Sequence, residues 1–248
     1  MSSRPPAVAG VFYPSDPEDL RRSIETAFAH AAPLAPESTA PKALVVPHAG
    51  YIYSGAVAAS AFRRIASART QIERVVLLGP SHRVYVRGMA VPSVDSFDTP
   101  LGTITIDAEL RSVVLALPGV VIDDEPHRSE HSLEVELPFL QTVLDGFTLL
   151  PLSVGDASSE EVATLLDAAW GGPETLIVIS TDLSHYHQYN EAVRLDARTA
   201  TAIMAADADA ISVRDACGCR PLRGMLRVAA ARGLPVEQID LRNSGDTA

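Results

Sequence analysis

The chain is poor in several things whose absence narrows its function. Of its 248 residues only two are cysteine, Cys217 and Cys219, set one residue apart and too close for an ordinary structural disulfide. That usage points to a reducing cytoplasm as its setting. Lysine is nearly missing: Lys42 is the sole example, and the basic charge is carried by scattered arginines. With a formal net charge of −11 and no basic stripe, the chain lacks the means to offset phosphates, which excludes nucleic acid and anionic membrane as partners. No apolar run nears the roughly 20 residues that span a bilayer. The opening "MSSRPPAVAG" lacks the charged-then-apolar layout of a signal peptide. There is no internal repeat, and no linker marks a domain boundary, so residues 1–248 are expected to form one domain.

What is present is an alternation. "DPEDLRRSIETAFAHAA" (16–32) reads as a helix and "PLAPESTAPK" (33–42) as a Pro-rich connector. Strands are expected at 42–47, 74–79, 147–154 and 175–181. Helices are expected at 55–68, 132–144 and 158–170, then near 190–206 and 220–232. Between 88 and 106, "GMAVPS" and "GTITI" suggest a shorter strand pair. Continuous Val/Ile/Leu strands separated by helices indicate an α/β fold, a three-layer domain with a largely parallel central sheet and helices on both faces.

Three of those strands end alike. "ALVVP" runs into His48, "VVLLGPS" into His82, and "LIVISTDLS" into Asp182 and His185. A single histidine after a strand is ordinarily a hydrogen-bonded loop residue. In an open parallel sheet, however, the carboxyl ends of the strands share one edge, and the ligand crevice lies just beyond it. Three such endings converge there, so these side chains are candidates for one cleft. His187 reads as a solvated neighbour of His185, and His30 as a charge complement to a helix C-terminus.

Two further clusters allow two readings each. In "PHRSEHSLEVELPFL" (126–140), Ser132 can cap the helix while Glu134 and Glu136 favour its positive end. Alternatively, His131 and Glu134 enter the cleft from that helix terminus. In "RDACGCRPLRGML" (214–226), Pro221 suits a first helical turn and places both thiols just ahead of it, where the thiolate is favoured. The bland reading there is a pair of packed, inert small residues. Two imidazoles and a carboxylate would favour non-haem Fe(II), whereas two imidazoles and a thiolate move the preference toward copper or zinc. His185 beside Asp182 could serve as a general acid or base next to such an ion.

Taken together, "RPPAVAGVFYPSDPEDL" (4–20), "VVPHAGYIYSGAVAASAF" (45–62), "LLGPSHRVY" (77–85), "EHSLEVELPFLQ" (130–141), "ISTDLSHYH" (179–187) and "DACGCRPL" (215–222) resemble the Memo family. Its bacterial members are called AmmeMemoRadiSam system protein B. The resemblance implies a fold similar to the class III extradiol dioxygenases, with a metal at the carboxyl edge of the sheet. It implies His48, His82 and Cys217 as ligands of one transition-metal ion, iron or copper ahead of zinc. It places Asp182 and His185 as a catalytic pocket pair and His131 as a pocket residue; Glu134 and Tyr51 are expected near the site, and Cys219, a second thiol that departs from the family pattern, leaves room there for alternative ligation or oxidation. Expected functions are a metal-dependent, dioxygenase-like oxidoreductase or a non-catalytic module that binds a peptide or partner protein through the same pocket. Animal relatives described as signalling adaptors favour the second. A Cys217/His185 hydrolase ranks last, since no nucleophile-elbow sequence is present. The occupant of the cleft is expected to be a small molecule or peptide, and the family name adds association with a radical-SAM system protein. Members of the resembled family usually continue past the "NSGD" segment into a final strand, so at "RNSGDTA" (242–248) the C-terminal edge is expected to be either truncated or differently closed.

Overall fold

Alternate residues of the central strands sort to opposite faces, which is what a sheet buried on both sides requires. In a computed structural model, which describes residues 2–33 and 39–247, Val75 and Leu77 pack into one core while Val76 and Leu78 pack into the other. The same split holds for Leu176 and Val178 against Ile177 and Ile179. Residues 34–38 of the expected Pro-rich connector lie outside the described residues.

In chain order, the first elements are β1 (Ser3–Arg4), α1 (Pro17–Ala29), β2 (Ala43–Val46), α2 (Tyr51–Phe62), β3 (Arg74–Pro80) and β4 (Met89–Val91). β5 (Ser96–Thr99), β6 (Gly102–Thr105), α3 (Ala108–Leu115), β7 (Val120–Ile122) and the short α4 (Glu125–Arg128) follow. The chain continues with α5 (Leu137–Val143), β8 (Thr148–Val154), α6 (Ser159–Ala168), β9 (Thr175–Ser180), α7 (Tyr189–Met204), α8 (Cys219–Arg232) and α9 (Ser244–Thr247). The main sheet has the order β2-β9-β3-β8-β4-β7, parallel except where β4 meets β8. A small sheet, β1-β5-β6, lies beside it. The fold is α/β with a largely parallel central sheet and helices on both faces. α1, α2 and α5 contribute to one core; α3, α6 and α8 contribute to the other.

Several boundaries differ from the sequence expectation for physical reasons. α2 begins at Tyr51, with Gly50 as its cap and no side-chain capping bond, so no polar residue announces its start. The expected strand pair between 88 and 106 does not form. Met89–Val91 joins the main sheet between β8 and β7, while Gly102–Thr105 pairs with Ser96–Thr99. α3 and β7 were not anticipated, although Asp107 caps α3 by accepting from the Leu110 N–H. Ser132 does not cap a helix. Its hydroxyl donates to the Pro80 carbonyl at 2.9 Å, and α5 starts only at Leu137 after a 3₁₀ turn.

Candidate metal centre

Strands β2, β9 and β3 are neighbours and parallel, so their carboxyl ends open onto one edge. His48 follows β2, His82 follows β3, and Asp182 follows β9. The structure brings one ring nitrogen each of His48, His82 and His131 within 4.8 Å of one another. Their ring centroids are 4.7–5.3 Å apart. The Cys217 Sγ lies 3.3 Å from His48 Nε2, beside the three converging nitrogens rather than among them.

Each donor is held from behind. The Asp182 carboxylate accepts the His48 backbone N–H at 2.8 Å, and Asp182 also joins the Cys217 segment: its carbonyl accepts the Cys217 N–H at 3.2 Å while its own N–H approaches the sulfur at 3.3 Å. Gly218 seats this turn against β9, where a Cβ would meet the Ser180 carbonyl oxygen at 2.7 Å. Its N–H donates to Thr181 Oγ1 at 2.8 Å. His82 is held by Glu130, whose Oε2 accepts the His82 backbone N–H at 2.7 Å and whose Oε1 lies 2.9 Å from His82 Nδ1. Oε1 also accepts the N–H groups of His131 and Ser132. The His131 Nδ1 is 3.1 Å from that oxygen but off the line of a hydrogen bond, and the His131 ring rests on Phe12 at 4.5 Å.

Glu130 was missed by sequence reasoning, although it is central to the geometry. It is a buried carboxylate that orients the His82 imidazole and holds the backbone of the turn carrying His131, the arrangement that commonly backs metal-bound histidines. Burial alone would raise its pKa, but the close approach of His131 and the hydrogen bonds from His82 and the Ser132 backbone hold it well below the usual carboxylate range. The sequence does carry a signal, since Glu130 immediately precedes His131. Its reach across to His82 depends on the tertiary fold.

The electrostatics of the donors are linked. Burial pushes the Cys217 thiol up, yet hydrogen bonds with His48 and His82 overcome it and favour the thiolate. For His82, burial acts against protonation, but the partners Cys217 and Glu130 outweigh it and raise the pKa. The charged pair of thiolate and imidazolium is therefore favoured while no cation holds them. A thiolate and neutral imidazoles are the forms that ligate metals, so a cation would displace the proton from His82.

The remaining candidates divide. His185 and Asp182 line the same cleft, with His185 Nε2 3.9 Å from Asp182 Oδ2 and its ring largely exposed. Tyr51 lines the cleft, but its hydroxyl donates to the Val135 carbonyl at 2.8 Å, and burial raises its pKa. Cys219 is the first residue of α8, 3% exposed and packed in the core with Leu222 and Met225. It stands apart from the cleft. Glu134 does not enter the cleft either. Its carboxylate accepts from Arg4, Tyr13 and the backbone N–H groups of Ala7 and Val8, which ties the N-terminal segment to the fold. All of its lone pairs are used there, so the short side chain has nothing left to offer the metal centre. Glu136 likewise is not an exposed helix-end charge but a fully buried carboxyl. His187 approaches Glu191 on α7, and His30 caps the C-terminus of α1.

The cleft continues from the three imidazoles as a groove of about 2670 Å³ that also runs along residues 234–247. That exceeds a fitted small-molecule pocket, typically about 300–1,000 Å³.

Comparison with known proteins identifies the family. The profile of Memo-like proteins matches residues 4–248. The chain belongs to the Memo family. MEMO1 family proteins similar to it include one from Aquifex aeolicus, 36% identical over 261 residues and covering 100% of this chain and 94% of the relative. A MEMO1 family protein of Methanopyrus kandleri is 35% identical over 271 residues, covering 99% and 93%. Another from Ignicoccus hospitalis is 39% identical over 213 residues, covering 79% and 73%. The first two matches span nearly the whole of this chain.

Proposed function

We propose that this Memo-family protein binds one transition-metal ion, iron or copper, through His48, His82 and Cys217, and that the centre is redox-active. The observation that carries the reading is the convergence of three imidazoles within 4.8 Å, with the Cys217 sulfur 3.3 Å from one of them. Two nitrogens and a thiolate suit copper, zinc or a redox-cycling iron better than the all-nitrogen-and-carboxylate face of a dedicated Fe(II) oxygenase. His131 borders the remaining open side, as a further donor or as a group that meets what binds there. An iron or copper ion would supply one-electron chemistry at this point. Around it, Asp182 fixes the His48 turn, Glu130 aims His82, and the exposed His185 is placed to hold or move a proton of a molecule in the cleft. Two free thiols make a reducing cytoplasm the matching setting.

The extent of the groove favours a second reading for its outer part. A channel of this size along 234–247 accommodates an extended peptide more readily than a single small molecule, so the same metal centre could sit at the end of a peptide-binding surface without turnover.

The test is metal content in protein purified without added metal. Wild type is expected to carry about one ion per chain, with His48→Ala and Cys217→Ser losing most of it. Equal metal content in all three proteins would overturn the assignment.

A further inference from the structure

Behind His48 lies a buried hydroxyl with more neighbours than it has hydrogens. Ser180, the last residue of β9, is fully buried, as is Glu136, and His48 is 1% exposed. The Ser180 Oγ is 2.7 Å from His48 Nδ1, 2.6 Å from the Ser132 carbonyl oxygen and 2.9 Å from Glu136 Oε1. A hydroxyl has one hydrogen to give and two lone pairs to receive with. The Ser132 carbonyl can only accept, and at 2.6 Å two oxygens without a hydrogen between them would repel. The hydroxyl hydrogen therefore goes to Ser132. The two remaining neighbours must both donate into the hydroxyl, so His48 carries its proton on Nδ1 and Glu136 carries one on its carboxyl.

From this count we infer that Glu136 is a protonated positioning residue for the metal centre, acting through Ser180 to hold His48 with Nδ1–H donated to the hydroxyl and Nε2 as the nitrogen that faces Cys217. Were Glu136 ionised, it would claim the hydroxyl hydrogen and leave the close Ser132 contact unbridged. Burial also favours its neutral form and outweighs the opposing effect of the Ser180 contact, and the nearby Asp182 carboxylate acts in the same sense as burial. Ser132 joins this arrangement to the one behind His82: its N–H donates to Glu130 while its carbonyl accepts from Ser180. The two histidines are thus set by two carboxyls in opposite states, Glu130 ionised and Glu136 neutral, on either side of one residue.

The inference rests on the metal-binding reading for its purpose but not for its test. Infrared difference spectroscopy on the metal-free protein at neutral pH, wild type minus Glu136→Gln, should show the carbonyl band of a protonated carboxyl, shifted in heavy water. Nitrogen-15 NMR of the histidines should show His48 Nδ1 protonated in wild type and in Glu136→Gln, because the glutamine amide can also donate to Ser180. In Ser180→Ala that signature should be lost. If the metal reading is also correct, affinity in Ser180→Ala should fall about 10–100-fold while Glu136→Gln stays near wild type. Absence of a protonated-carboxyl band, or an Nε2–H tautomer of His48, would overturn the inference whatever the metal content. A confirmed band and tautomer in a protein that binds no metal would instead overturn the metal reading alone.

Discussion

His185 and His48 illustrate how burial separates two roles among residues of one type. His48 is enclosed, with both ring nitrogens engaged, whereas His185 reaches only to 3.9 Å from Asp182 and stands largely in solvent. His185→Ala is therefore expected to retain bound metal and to change stability by no more than about 0.5 kcal/mol. Any metal-dependent turnover found in the wild type should be lost in it. Elemental analysis and thermal unfolding of the variant check this; loss of metal would make His185 a ligand. The strand-end histidines were legible because a parallel sheet brings its carboxyl edges together whatever lies between them. The carboxyls behind them were not. Glu130, Glu134 and Glu136 read alike in sequence, yet one orients the His82 imidazole, one anchors the N-terminal segment and one is buried against Ser180. Their fates depend on which neighbour the loop at Glu130 and each face of the 3₁₀ turn at Glu134–Glu136 meet, and local spacing does not encode that.

Among the elements, the approach of the 130–133 turn to the end of β3 positions the site most tightly. Gly79 permits it: a Cβ there would lie 2.8 Å from Ser132 Oγ and 2.9 Å from Leu133 Cδ2, both in a packed region. Gly79→Ala is expected to push the turn outward and destabilise by about 1–3 kcal/mol. Because the same turn carries Glu130 and His131, metal affinity should fall with stability, which denaturant unfolding and metal titration of one preparation would show. Unchanged affinity would mean that the turn does not set the centre. The long central strands and their helices were visible as buried apolar runs and amphipathic stretches. α3 and β7 were overlooked because the helix is eight residues long and the three-residue strand buries only Val120, giving either period little room to repeat.

For the whole molecule, acid sensitivity should arise from a histidine outside the cleft. His127 is buried between the sheet systems, with Nε2 donating to the Ala90 carbonyl at 3.0 Å and Nδ1 unpartnered. Burial, aided by Arg4 and opposed by that hydrogen bond and by Asp124 and Asp123, lowers its pKa from 6.5 to about 4. Because the unfolded chain takes up this proton more readily, the contribution is complete above pH 6.5. It is lost as pH falls toward 4, amounting to about 3 kcal/mol over that interval. Unfolding free energies of wild type should drop more steeply between those values than those of His127→Gln; parallel profiles would remove His127 as the cause. The claim on which the functional account depends is that a thiolate joins imidazoles at one ion. X-ray absorption of the copper- or iron-loaded protein tests it directly. The account predicts a sulfur scatterer beside nitrogens in wild type that disappears in Cys217→Ser, and a wild-type spectrum fitted by nitrogen and oxygen alone would contradict it.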